Sequence, residues 1–278
     1  MTTPILFIKA HIPAYTKKDG TFVAAHDDKR TAKDYVKQAL GKQGDLFASA
    51  GKQDKPKDPP KPPEGYHPKL NVAGEKVGLR KLSTPTPIET FNDPAAVATV
   101  VPGGPVPKEL HGVALKPWAD APKTLHDWAD VEGQNAEDET PLDVPKGMNQ
   151  GAGVIVQEPD GRVWICHPSN KFGGYSASFP KGTVEGGLPM QASAIKEAYE
   201  ESGLQVELIR PLMDVVRTTS VARYYLAKRV GGSPADVGWE SQAVSLVPVE
   251  KLYELLNMST DHGLAEALGA GPKPQKQK

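Results

Sequence analysis

A single cysteine, Cys166, stands in this chain of 278 residues, which rules out an internal disulfide and a thiolate zinc cluster. No apolar run approaches the roughly 20 residues that a membrane-spanning helix needs. The apolar stretch at residues 5–8 is too short and wrongly flanked for a signal peptide. These absences predict a soluble cytoplasmic protein without a membrane partner. Neither sign of charge dominates, since 33 Lys and Arg face 34 Asp and Glu. Hydrophobic residues reach only 38%, while Pro and Gly contribute 27 each, so long irregular stretches must accompany one sizeable domain or two small ones.

The first 48 residues read as a small hairpin and helix unit. Ile8, Ala10 and Ile12 alternate as a strand, Lys17-Lys18-Asp19-Gly20 is a hairpin turn signal, and residues 21–26 give a return strand. Ala32, Tyr35, Val36, Ala39 and Leu40 then form one apolar helical stripe that Asp27 or Asp28 can cap and Gly41 can stop. Residues 1–69 carry thirteen Lys and Arg against eight Asp and Glu. That surplus suggests a solubilising appendage, or a contact with nucleic acid or protein.

Residues 49–105 are expected to be a Pro- and Lys-rich, mostly disordered linker. A domain follows over 106–262, with an N-terminal extension at 106–146 and a core at 147–262. Trp118 and Trp128 are predicted to pack against that core, because a solvated linker has no use for two indoles. Strands are expected at 152–157, 162–167, 205–208, 213–218, 223–228 and 243–247, with a closing amphipathic helix at 249–257. Residues 263–278 read as a disordered basic tail. Cys166 is expected to be a small buried hydrophobe.

Residues 179–204, FPKGTVEGGLPMQASAIKEAYEESGL, carry the chemistry. Pro189 suits a helix start and Gly203 a left-handed stop. At about 100° per residue, Glu197, Glu200 and Glu201 fall within about 100° of one another on one face, opposite Gln191, Ile195, Ala198 and Ser202. Three carboxylates so placed repel one another and call for a cation. Hard divalent ions take oxygen ligands, neutralise phosphate oxygens and make water nucleophilic near neutral pH. A carboxylate not saturated by metal can take the water's proton.

This stretch resembles the signature of the Nudix hydrolases: a glycine, five residues, a glutamate, seven residues, then Arg-Glu-aliphatic-any-Glu-Glu-any-Gly-aliphatic. Gly182 begins it and residues 196–204, KEAYEESGL, end it at the right spacing. Leu188 replaces the first glutamate and Lys196 the arginine, two positions that in the family often brace the loop and the metal carboxylates. The resemblance implies an α+β fold with a mixed sheet between helices. It also implies Mg²⁺ or Mn²⁺ held by Glu197, Glu200, Glu201 and the carbonyl of Lys181. Glu240, before a late strand, would complete the site or act as base beside Glu200 and Glu201. Lys181, Arg217 and Arg223 are candidate phosphate clamps. Tyr224 lies near the position where dinucleoside polyphosphate hydrolases often have a tyrosine. The implied activity is hydrolysis of a phosphoanhydride in a nucleoside diphosphate-X or dinucleoside polyphosphate, by a monomer or homodimer. A nucleotide-binding sensor or adaptor that does not cleave is the alternative.

Overall fold

The computed structural model describes residues 64–135 and 139–271, together with the backbone of four short strands between residues 10 and 28. The chain divides into two units, Met1–Pro60 and Lys61–Lys278. In the first unit β1 (Ala10–Ile12) pairs antiparallel with β4 (His26–Asp28), and β2 (Tyr15–Thr16) with β3 (Phe22–Val23), so Asp27 and Asp28, expected as helix caps, lie in a strand. The helix expected at 29–41 lies outside the described residues.

The second unit opens with a hairpin, β5 (Gly65–Leu70) and β6 (Lys76–Leu79). Then come β7 (Ala98–Val100), the small hairpin β8 (Glu109–Leu110) and β9 (Val113–Ala114), and the short helix α1 (Leu125–Ala129). The remainder supplies β10 (Asn149–Val156), β11 (Val163–Pro168), β12 (Lys181–Thr183), helix α2 (Met190–Ser202), β13 (Leu204–Val216), β14 (Ser220–Gly232) and β15 (Ser241–Val247). Two short helices close it, α3 (Leu252–Leu255) and α4 (Ser259–Ala267).

Two sheets result. The first has the order β12-β10-β14-β13 and the second β11-β15-β7. β10 and β14 run parallel, and every other pair in the two sheets is antiparallel. β10 is buried continuously from Gly151 to Val156, as expected of a strand covered on both faces. Helix α2 lies against this architecture with Ala192, Ile195, Ala198 and Ser202 inward. Small side chains on that face let the helix axis approach the strands closely, so its outward carboxylates start from a fixed base. Pro189 stands at the N-cap position, one residue before the first helical position it suits, and makes no capping hydrogen bond, while Gly203 ends the helix at φ 72°, as its residue type predicts. The mixed α+β class expected from the sequence is what the chain adopts.

Trp118 and Trp128 cross edge to face with centroids 5.8 Å apart, and Trp118 meets Tyr199 of α2 at 5.5 Å. The extension is therefore part of the core, as the two indoles required. A second tie is polar: Arg229 Nε donates to Glu158 Oε1 at 2.6 Å, Trp164 Nε1 donates to the same oxygen at 2.8 Å, and Arg229 Nη2 donates to the Leu110 carbonyl at 2.8 Å.

Three sequence expectations need correction. The linker was to run to residue 105, yet residues 64–105 are built into the fold. β7 pairs antiparallel with β15 through Val100–Val244 and Ala98–Leu246, and Phe91, Ala98 and Val100 are buried. Local Pro content hid this, because an edge strand of three residues has too short a period to read. The segments at 205–208 and 213–218 are one strand, β13, with register shifts around Leu208–Arg210 and Pro211–Met213. β13 is an edge strand, where proline's missing N–H costs no ladder bond. Finally, the last helical segment is not 249–257 alone. α4 buries Leu264 and Ala265, so order extends into the supposed tail.

Candidate active site

Glu197, Glu200 and Glu201 of α2 line, with the loops around the helix, a cleft of about 890 Å³. Glu185, Lys181, Lys196 and Glu240 line the same cleft. Each carboxylate has a different environment. Glu201 Oε2 accepts from the Lys181 backbone N–H at 2.8 Å and lies 3.6 Å from Cys166 Sγ. Burial dominates its titration, partly offset by the Lys181 ammonium, and its pKa is pushed up to about 7. Glu197 packs on Gly182, where any Cβ would overlap the carboxylate. That contact explains the signature glycine better than backbone flexibility does. Burial, then the charges of Glu201 and Glu200, push Glu197 to about 9.

Glu200 is turned onto Lys196, whose Nζ lies 2.7 Å from Glu200 Oε2 and 2.8 Å from Glu185 Oε1. The two departures from the signature are thereby explained together. Leu188, where a glutamate is usual, is buried in the core, while Glu185 three residues earlier supplies a carboxylate to Lys196. Loop and helix remain braced, by an apolar anchor and a displaced ion pair.

Glu240 stands across the cleft. Gly238 N–H donates to the Glu200 carbonyl at 3.0 Å, and the Glu240 carbonyl accepts from Ser169 N–H at 2.7 Å. A side chain at 238 would overlap the Glu200 carbonyl, so glycine there lets the loop reach the helix end. Partial desolvation, then the charge of Glu200, raise the Glu240 pKa. The Lys181 ammonium sits 4.4 Å from the centre of the Tyr175 ring, close enough for a cation–π contact.

Three predicted substrate-binding residues are not brought to the cleft. Arg217 donates to Asp261 at 2.8 Å and to the hydroxyls of Tyr175, Tyr224 and Thr260. Tyr224 is fully buried beneath it. Arg223 binds both oxygens of Asp214 at 2.8 Å and the Thr140 carbonyl. Both guanidiniums are neutralised by buried or bidentate carboxylates, so they fasten α4 and the 139–143 segment rather than a phosphate. Cys166 is fully buried, its thiol pushed up by burial and by Glu201, in keeping with an inert role. His167 uses both ring nitrogens, on the Ser176 carbonyl and the Ser245 hydroxyl.

Sequence reasoning missed the wall contributed by the β5–β6 hairpin, where Val72, Val77 and Arg80 line the cleft. It also missed Glu185. The Glu185–Lys196 spacing of eleven joins a loop to a helix, which no local periodicity reveals.

The donor set suits a hard divalent ion. Glu197 receives no hydrogen bond among the described residues, and burial raises the pKa of both Glu197 and Glu201, so added positive charge would favour their ionised forms. Among the described residues no three His, Cys, Asp or Glu side chains stand close enough together to hold a metal ion as they are, and Glu200 is turned onto Lys196.

Comparison with known proteins gives the same picture. The profile described as NUDIX domain matches residues 148–267, and divalent metal ions are general cofactors of Nudix hydrolases. An RNA pyrophosphohydrolase of Caulobacter vibrioides is 32% identical over 105 residues, covering 37% of this chain and 57% of that protein. The corresponding protein of Cronobacter sakazakii is 29% identical over 116 residues, covering 41% and 58%. The chain thus spans a little over half the length of these curated relatives. Among solved structures, a NUDIX hydrolase from Nitrosomonas europaea is similar over 45% of this chain and 72% of its own, at 19% identity and a TM-score of 0.39. An ADP-ribose pyrophosphatase from Streptococcus suis is similar over 44% and 87%, at 18% identity and a TM-score of 0.36. Residues 148–267, which carry the signature and most of the carboxylate cleft, are thus similar to the NUDIX domain.

Proposed function

We propose that the protein is a divalent-metal-dependent pyrophosphohydrolase acting on a nucleotide-type polyphosphate, with Mg²⁺ or Mn²⁺ as the ion. The observation that carries this reading is the convergence of Glu197, Glu200, Glu201 and Glu240 on one cleft, with Gly182 leaving room for the Glu197 carboxylate. The curated relatives are named RNA pyrophosphohydrolase, which extends the proposed substrate class to pyrophosphate linkages on RNA.

Glu197, Glu200, Glu201 and the Lys181 carbonyl would hold the ion, which when bound offsets the charge of the phosphate oxygens and makes water acidic. The Lys181 amide fixes the direction of one Glu201 oxygen. Lys196 holds Glu200 in place against its like-charged neighbours. Glu240, which lines the cleft and whose pKa is raised, would take the proton of an attacking water, and Glu200 is the second candidate. The Lys181 ammonium, which lines the cleft, would face a phosphate oxygen of the substrate.

The test is a panel of nucleoside triphosphates, dinucleoside polyphosphates, ADP-ribose and 5′-triphosphorylated RNA with either ion. We expect metal-dependent release of phosphate or pyrophosphate, reduced about 100-fold or more in Glu201→Gln. Nucleotide binding without turnover on any member would establish the binding-module alternative instead.

A further inference from the structure

A second cavity of about 530 Å³ adjoins the carboxylate cleft and shares Arg80, Pro168 and Asn170 with it. The two differ in charge. Five glutamates line the cleft, whereas the second cavity is lined by Arg80, Lys81 and Lys171 with the hydroxyls of Ser83, Thr84 and Ser176, and by no carboxylate. Among the described residues none of these three cations has a carboxylate partner, in contrast to Lys69, Lys196, Arg162, Arg217, Arg223 and Arg229. Cations left unpaired around a concave, hydroxyl-rich surface are what a phosphate anion needs.

The cavity is also built, not left over between segments. Asn170 and Lys171 both take positive φ, 56° and 57°, a conformation that costs a non-glycine residue and persists only when its surroundings enforce it. The enforcement is visible. Asn170 Oδ1 accepts from Arg80 N–H at 2.7 Å, and Asn170 Nδ2 donates to the Gly78 carbonyl at 2.8 Å. Gln242 accepts from Asn170 N–H at 3.0 Å and donates to Ser83 Oγ at 2.8 Å. One clasp thus joins residues 78–83, which precede the matched domain, to the strained loop and to β15. It sets Arg80 and Lys81 on one side and Lys171 on the other.

We infer that this cavity is an anion subsite for a second phosphate group of the substrate, one that is not cleaved, while the scissile linkage lies among the glutamates. The inference rests on the proposed pyrophosphohydrolase activity and adds that residues 80–81, outside the family domain, help to select a substrate longer than a mononucleotide. The second phosphate is either the first phosphodiester of an RNA 5′ end or the distal phosphate of a dinucleoside polyphosphate.

The test uses the full chain with Lys81→Ser and Lys171→Gly combined. Both side chains are exposed and neither lines the carboxylate cleft, and glycine preserves the backbone conformation at 171. kcat/KM is compared on a nucleoside triphosphate, a dinucleoside tetraphosphate and a 5′-triphosphorylated trinucleotide. We expect mononucleotide cleavage to stay within about twofold while an extended substrate loses about tenfold, which is about 1.4 kcal/mol. Loss on the trinucleotide assigns the phosphodiester, and loss on the tetraphosphate the distal phosphate. Binding of a 5′-monophosphorylated trinucleotide in chelator, followed by anisotropy across salt, gives a readout independent of turnover. For single strands the loss of this one phosphate contact should flatten the slope of log K against log salt by about 0.7. An equal loss on all three substrates or no loss on any would overturn the subsite, as would loss on the trinucleotide with an unchanged salt slope. Absence of cleavage by the wild type, with the slope still dependent on these lysines, would overturn the activity and leave the subsite standing.

Discussion

Replacing Glu197 by Gln should stabilise the metal-free protein at alkaline pH. Glu197 titrates near 9 in the folded chain against an ordinary value of 4.5. The native state therefore holds a proton that the unfolded chain releases above 4.5. Stability linked to this group is fully present below pH 4.5 and is lost as pH rises toward 9. Each unit removes about 1.4 kcal/mol, so the ceiling on the loss by pH 8 is about 5 kcal/mol. A carboxylate beside an open cleft can turn toward water, and about 2 kcal/mol is the expected part. Glutamine occupies the same volume, keeps its contact with Gly182 and cannot ionise. In chelator at pH 8 the variant should melt about 4–8 °C above the wild type, with near parity at pH 5. Saturating divalent metal should reverse the order, since a ligand at 100 times its Kd adds about 2.7 kcal/mol to the protein that binds it. Equal melting temperatures at pH 8 without metal, or a less stable variant, would refute the idea that Glu197 is a desolvated carboxylate awaiting a cation.

Other perturbations follow from the same geometry. Gly182→Ala should displace Glu197 and weaken metal binding by about tenfold or more by calorimetry, with little change in fold, because the new Cβ meets the carboxylate and no apolar core. Lys196→Met should free Glu200 and Glu185 together and lower kcat more than it raises KM, whereas Lys196→Arg should retain most activity. Trp128→Ala should cost about 3–5 kcal/mol in urea unfolding, since that side chain is 4% exposed and packs on Trp118 and Tyr199. A chain starting at residue 106 should aggregate where one starting at residue 64 stays monodisperse by light scattering, because removing β7 uncovers the edge of β15.

The local chemistry of residues 179–204 was legible from the sequence because it depends on short spacings. A proline and a glycine bound one helix, the period of that helix puts three carboxylates on one face, and the small residues opposite them make the buried side. Trp118 and Trp128 announced their burial by residue type alone. Tertiary structure decided everything that turns on pairing between distant segments. Arg217 and Arg223 look like free cations until Asp261 and Asp214 are seen to neutralise them. Leu188 and Lys196 look like losses until Leu188 enters the core and Glu185 reaches Lys196 from another loop. Residues 64–105, with short apolar snatches between prolines, carry no period of their own. Their order comes from hydrogen bonds that β15, Asn170 and Gln242 offer only once the rest of the sheet exists. Charge and local period are properties of the chain, whereas the partner that satisfies a charge or an edge strand is a property of the fold.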